Sequence, residues 1–233
     1  RAFCTMKNWQ NYFWDSLFII WYSTLLLYLI NKEIKLELRN KYALGGIFLY
    51  VIATVYTSYL SFKNIIHPAT WNALFWIIML FASINAISKS FVQDSYGRQL
   101  YYYTILKPQT VILSKMIYNA ILMVFMSLLC FAFYSVFINY LVQNLPMFLL
   151  SLLLGSIGFS SILTMVSAIA AKTNGNFSMM AILSFPMLIP FLITLIKVSK
   201  LAVDGIDNSV CYPYLLVLIL INIVVVGLSY ILF

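Results

Sequence analysis

The sequence predicts an all-α integral membrane protein of about six transmembrane helices, each of roughly 20 residues. Three observations predict it. The chain of 233 residues is 64% hydrophobic and only 9% charged, far below the roughly one-quarter charged residues of a soluble domain. Its apolar residues gather into long runs, and the six acidic residues (Asp15, Glu33, Glu37, Asp94, Asp204 and Asp207) all fall before or between those runs. Its net charge of +8 comes from lysines and arginines near the ends of the runs, where they anchor and orient a membrane protein. That placement argues against a nucleic-acid partner. Proton- or ion-coupled transporters usually bury a carboxylate in mid-membrane. The carboxylate-free runs therefore point to a membrane domain powered from outside itself.

The chain begins with Arg1, and residues 1–30 read as an interfacial or partly disordered extension of uncertain structure. Its apolar run Leu17–Ile30 is short for a span. Residues 31–45 read as an amphipathic helix lying in the interface. Ile34, Leu38 and Tyr42 recur on one face, and Glu37 and Lys41 form an i,i+4 pair on another. An ordinary basic flank is the competing reading. Gly45-Gly46 is expected to break this helix before a permease domain at 46–233. The spans are placed at about 46–62, 71–88, 111–138, 147–171, 177–197 and 213–233, and in lipid each must be helical to satisfy its backbone.

Charge orients these spans. Lys32, Lys35, Arg39, Lys41, Lys89, Arg98, Lys107, Lys115 and Lys172 fall on one side, and Lys63, Lys197 and Lys200 on the other. The positive-inside rule puts residues 31–45 and the C-terminus in the cytoplasm.

The most informative connection is 89–110, the longest and on the predicted cytoplasmic side. It mixes Asp94 and Arg98 with Tyr96, Tyr101, Tyr102 and Tyr103, has Gly97 for a tight turn, and closes at Pro108. A short flat helix there suits docking of a soluble partner. A plain interfacial loop with an aromatic belt competes. In the fourth span, Gly155 and Gly158 stand among serines, a pattern for close helix approach, with a polar path as the sharper alternative. In the fifth, Pro186 and Pro190 each remove a backbone bond and could make a hinge, although prolines are common in spans.

His67, the one histidine, sits beside Pro68 in an external connection and is a weak haem-ligand candidate, with no second ligand beside it. No metal site is expected. Asn72, Asn85, Asn119 and Asn222 read as interhelical hydrogen-bonding residues. Cys4, Cys130 and Cys211 have no metal-ligand spacing and read as unpaired. No P-loop, HExxH or GxSxG motif is present, so the chain is expected to have no catalytic residues and no ATPase motif of its own.

From about Tyr28 onward the chain resembles the CcmB family, permeases of cytochrome c biogenesis also called haem exporter protein B. The resemblance rests on Leu36-Glu37-Leu38-Arg39; on Asp94, Gly97, Leu100, Leu106 and Pro108; on Val111-Ile112-Leu113-Ser114-Lys115; on Leu152-Leu153-Leu154-Gly155; and on Ile182 to Pro190 with its two prolines. Tyr96 stands where family members often have an acidic residue, and Arg98 where they have a small polar one, so the charge of the loop surface is shifted. Residues 1–27 match nothing in the family.

The resemblance implies an ABC-2 exporter-type permease in the bacterial inner membrane. It implies a cytosolic ABC ATPase as partner, a tryptophan-rich haem-handling membrane subunit, a small single-span subunit and a periplasmic haem chaperone, with two membrane halves in the complex. ATP then acts through the partner, haem is at most a transient substrate, and the chain binds no cofactor itself. The ATPase contact is expected at Asp94, Tyr96, Gly97, Arg98, Leu100, Leu106 and Pro108, with Glu37 and Arg39 beside it. The rival readings are an ABC-2 permease exporting a lipid, glycan or drug, and a haem-binding membrane enzyme.

Overall fold

The computed structural model describes residues 24–25, 27–35, 41–62, 67–92, 108–138, 141–172 and 177–232. Among them lie seven helices and no strand. Helix α1 covers residues 27–35. Six long helices follow: α2 (Lys41–Phe62), α3 (Pro68–Val92), α4 (Pro108–Phe137), α5 (Leu145–Lys172), α6 (Phe177–Val203) and α7 (Asn208–Leu232). All six are long and apolar enough to cross a membrane.

Proline marks several helix starts. Pro68 and Pro108 open α3 and α4, where the missing N–H costs no intrahelical bond. Asn144 caps α5, its Oδ1 accepting the Met147 N–H at 3.4 Å.

Helix α5 is the hub, packing on α3, α4, α6 and α7, while α2 leans mainly on α3 and α4. Burial follows this layout. The spans of α5 and α3 are 72% and 67% buried, those of α2 and α7 only 17% and 28%. The outer helices expose Leu49, Leu60, Ile121, Phe125, Leu216, Ile223 and Ile231, as suits a surface facing lipid tails.

Around α5 the core is filled by large aromatic side chains. Trp71, Phe75, Trp76, Tyr134, Phe148, Phe159 and Phe191 are all fully buried. Trp71 meets Tyr134 edge-on at 4.9 Å between ring centroids, and Phe159 meets Phe191 at 5.4 Å, within the favoured range for aromatic pairs.

One sequence expectation needs correction. Gly45 and Gly46 do not interrupt a helix, because α2 runs unbroken from Lys41 through both. Each glycine costs about 1 kcal/mol relative to alanine. An opened backbone in a membrane costs several, so continuity wins. The Ile34–Leu38–Tyr42 stripe falls mostly outside the residues whose side chains are described. Leu29 and Glu33 are buried and Ile34 is half-buried, while Leu38 lies outside the described residues. Helix α1 also runs through position 30, so residues 27–30 and 31–35, on either side of the expected boundary, share one helix.

Candidate functional site

The bundle has two chemically different ends. The His67 end gathers the starts of α3, α5 and α7 with the finish of α4 and α6. The Lys115 end carries α1, the start of α4 and the finish of α5.

At the His67 end, α6 stops in a glycine cap. Gly205 has φ +69°, and the Ile206 N–H donates to the Leu201 carbonyl at 3.1 Å. The last carbonyls of α6, which have no intrahelical partner, are taken by the chain entering α5. Gln143 N–H donates to Val203 O at 3.4 Å, and Asn144 N–H to Ala202 O at 3.0 Å. Asn144 Nδ2 also donates to Asn208 Oδ1 on α7 at 2.8 Å. A Cβ at Gly205 would run into the Gln143 side chain.

Just inside this end, Asn72 Nδ2 donates to Ile196 O at 3.0 Å, joining α3 to α6. The Trp76 Nε1–H divides between Asn72 Oδ1 at 3.1 Å and Ser199 Oγ at 2.7 Å. Tyr134 Oη donates to Trp71 O at 2.9 Å. This end is therefore an aromatic knot fastened by neutral hydrogen bonds.

Mid-bundle, small residues open the way to close contact. A Cβ at Gly155 would touch the Trp76 ring at 2.9 Å and Leu195 at 3.1 Å. A Cβ at Gly158 would overlap the Phe191 ring and lie 3.0 Å from Asn222 Oδ1. Ser156 Oγ donates to Ser127 Oγ at 2.8 Å, tying α5 to α4. Asn222 Nδ2 donates to Leu218 O at 3.0 Å and Leu154 O at 3.4 Å. Among the described residues its buried Oδ1 has no hydrogen-bond partner.

The Lys115 end is built differently. Asn119 Nδ2 donates to Thr164 Oγ1 at 2.9 Å, and Ser160 Oγ to Met116 O at 3.2 Å. One turn below stands Lys115, its side chain 4% exposed. Its Nζ lies 3.9 Å from Glu33 Oε1, which is also 3.3 Å from Lys32 Nζ. A buried ion is tolerated only when paired, so Glu33 brings α1 against α4.

The residues singled out in the sequence fall as follows. Asp94, Tyr96, Gly97, Arg98, Leu100, Leu106, Glu37 and Arg39 lie outside the described residues. Pro108, exposed, is the first residue of α4. Gly155 and Gly158 stand at helix crossings. Pro186 and Pro190 both lie inside an α6 continuous from Phe177 to Val203, and both are exposed. His67 is exposed, and its backbone carbonyl accepts the Trp71 N–H at the start of α3. Among the described residues no cluster of His, Cys, Asp and Glu could hold a metal ion. Cys130 and Cys211 are buried and free. Asn72, Asn119 and Asn222 bond across helices. Asn85 is half-buried, its carbonyl accepting from Ser88 of the same helix.

Sequence reading missed the pairing of Glu33 with Lys115. The available signal was Lys115 itself, two turns inside an apolar helix, where a charge requires a partner. Three acids, Glu33, Glu37 and Asp94, lay on the same predicted side.

No curated protein and no solved structure matches the chain. The family model described as CcmB protein matches residues 24–231, nearly the whole chain and every helix of the bundle. The chain therefore belongs to the CcmB family and is a multi-pass membrane component of the cytochrome c biogenesis haem exporter, an ABC transporter complex.

Proposed function

We propose that this chain is the permease subunit through which a partner ATPase drives delivery of haem to a periplasmic chaperone and release of the loaded chaperone. The observation that carries the reading is the family match over residues 24–231. The packing supports it. From the His67 end to its middle the bundle interior is occupied by fully buried Trp71, Trp76, Phe148, Phe159 and Phe191, which suits a body that transmits motion better than a pore within one chain. The other partners are the tryptophan-rich haem-handling subunit, a small single-span subunit and a second membrane half. Haem is cargo of the complex, and this chain holds no resident cofactor.

In this reading the protein sits in the bacterial inner membrane, with the Lys115 end and the C-terminus in the cytoplasm. The ATPase docks at residues 93–108 through Asp94, Tyr96, Gly97, Arg98, Leu100, Leu106 and Pro108, with Glu37 and Arg39 adjoining. Closure there tilts α3 and α4, and α5 and α6 carry the motion to the other end. Pro186 and Pro190 provide the place where α6 bends, since each removes one backbone bond.

The test is deletion of the gene in its host, followed by haem staining of covalent c-type cytochromes. The reading expects c-type cytochromes to fall at least ten-fold and the wild-type chain to restore them. Gly97→Trp and Arg98→Glu should each fail to restore them and should lose the co-purifying ATPase. Normal c-type cytochromes in the deletion strain, with a defect in lipid, glycan or drug export, would replace this reading with that of another exporter.

A further inference from the structure

We infer that Glu33 is a positioning residue, the α1 half of an ion-pair joint with Lys115 that keeps α1 attached while α4 moves. The inference rests on the ATPase-driven reading above.

Three observations meet at this point. Glu33 and Lys115 are both buried, at 9% and 3% exposure. Oε1 and Nζ are 3.9 Å apart, and Lys32 Nζ lies 3.3 Å from the same oxygen. Lys115 stands on α4 roughly 10 Å along the axis from its first residue, at 1.5 Å per residue, so it rides on the helix that leads directly out of the proposed docking segment.

A charge pair is a costly way to fasten two helices. Removing two ions from water carries a penalty that their attraction does not always recover, and apolar replacements often hold as well. Elsewhere along α4 neutral groups do the fastening: Asn119 to Thr164, Ser127 to Ser156, and Tyr134 to Trp71. What the ion pair offers is range. Coulomb attraction falls off only as the inverse of distance, whereas a neutral hydrogen bond is lost once its atoms separate beyond about 3.5 Å. The Glu33–Lys115 separation of 3.9 Å is already longer than a hydrogen bond. Lys32 adds a second cation on the same oxygen. Such a joint survives sliding of one helix on another, and the neutral bonds elsewhere on α4 do not.

The test uses the whole complex, with ATP hydrolysis and loaded chaperone released per ATP both recorded. First the wild-type chain is purified with its ATPase; recovery without any ATPase would overturn the functional reading on which the joint rests. With the ATPase present, E33L/K115M removes both charges and keeps the site packed. It is expected to assemble and hydrolyse ATP, yet to release at least five-fold less chaperone per ATP. The swapped pair E33K/K115E is expected to recover release to within two-fold of wild type. Full release per ATP by an assembled E33L/K115M complex would overturn the joint and reduce the pair to ordinary packing. So would a swapped complex that assembles but stays as uncoupled as the apolar one.

Discussion

The two ends of the bundle hold together by different physics. At the His67 end, α3, α4, α5 and α6 meet in an aromatic knot, and the described residues there are fastened by neutral hydrogen bonds of 2.7 to 3.4 Å. At the Lys115 end small polar groups link α4 to α5, and among the described residues a buried charge pair at 3.9 Å brings in α1. Short directional bonds and interlocked rings resist sliding, because a shift of 1 Å breaks them. A charge pair tolerates it. The proposed function assigns the His67 end as the frame and the Lys115 end as the part that responds to a partner.

Breaking the frame should have the largest effect. Gly158→Leu places a side chain where the Phe191 ring and Asn222 Oδ1 already sit. Overpacking of this kind costs about 1–3 kcal/mol or more. The expected result is loss of a monodisperse peak in size-exclusion chromatography, and Gly158→Ala with Phe191→Ala should recover part of it, since contacting residues couple. Next comes Trp76→Phe, which keeps the ring and removes the Nε1–H shared by Asn72 and Ser199. A buried acceptor left unpaired costs about 1–3 kcal/mol, to be read as a lower thermal midpoint in detergent.

A smaller loss is expected from Gly205→Ala. The left-handed backbone at φ +69° and the adjacent Gln143 both oppose a Cβ, at about 1–2 kcal/mol for the backbone alone. Limited proteolysis of the 204–207 turn would report it. The smallest effect, with the opposite sign, belongs to Gly45→Ala and Gly46→Ala. A Cβ at either position would meet none of the described residues within 4 Å, so each substitution should stabilise α2 by up to about 1 kcal/mol. A destabilised protein would indicate that a partner packs against that face.

Most of the fold was legible because hydrocarbon imposes it. A run of apolar residues in lipid has to close its own backbone bonds, so the six spans fall within a few residues of the helices. The departures have local causes. Helix α7 starts at Asn208, ahead of Pro213, whose position near the helix start spares most of the ladder. Helix α6 continues past Lys197 to Val203, since lysines near a C-terminus favour the helix dipole and snorkel outward. Gly45-Gly46 misled because glycine breaks helices more readily in water than in lipid.

Gly155 and Gly158 were recognisable by composition, but the residues they accommodate, Trp76 and Phe191, come from other helices and leave no mark in the local sequence. The Glu33–Lys115 pair was hidden for the same reason. Lys115 announced the need for a counter-charge, and the fold places Glu33 of α1 3.9 Å from it.

The most direct test of the account is purification of the chain from its host in mild detergent, with ATP hydrolysis measured and co-purifying proteins identified. The account predicts recovery of an ABC ATPase that hydrolyses ATP, together with the tryptophan-rich haem-handling subunit. Purification of an intact chain without any ATPase, under conditions that preserve other membrane complexes of the same cells, would contradict it.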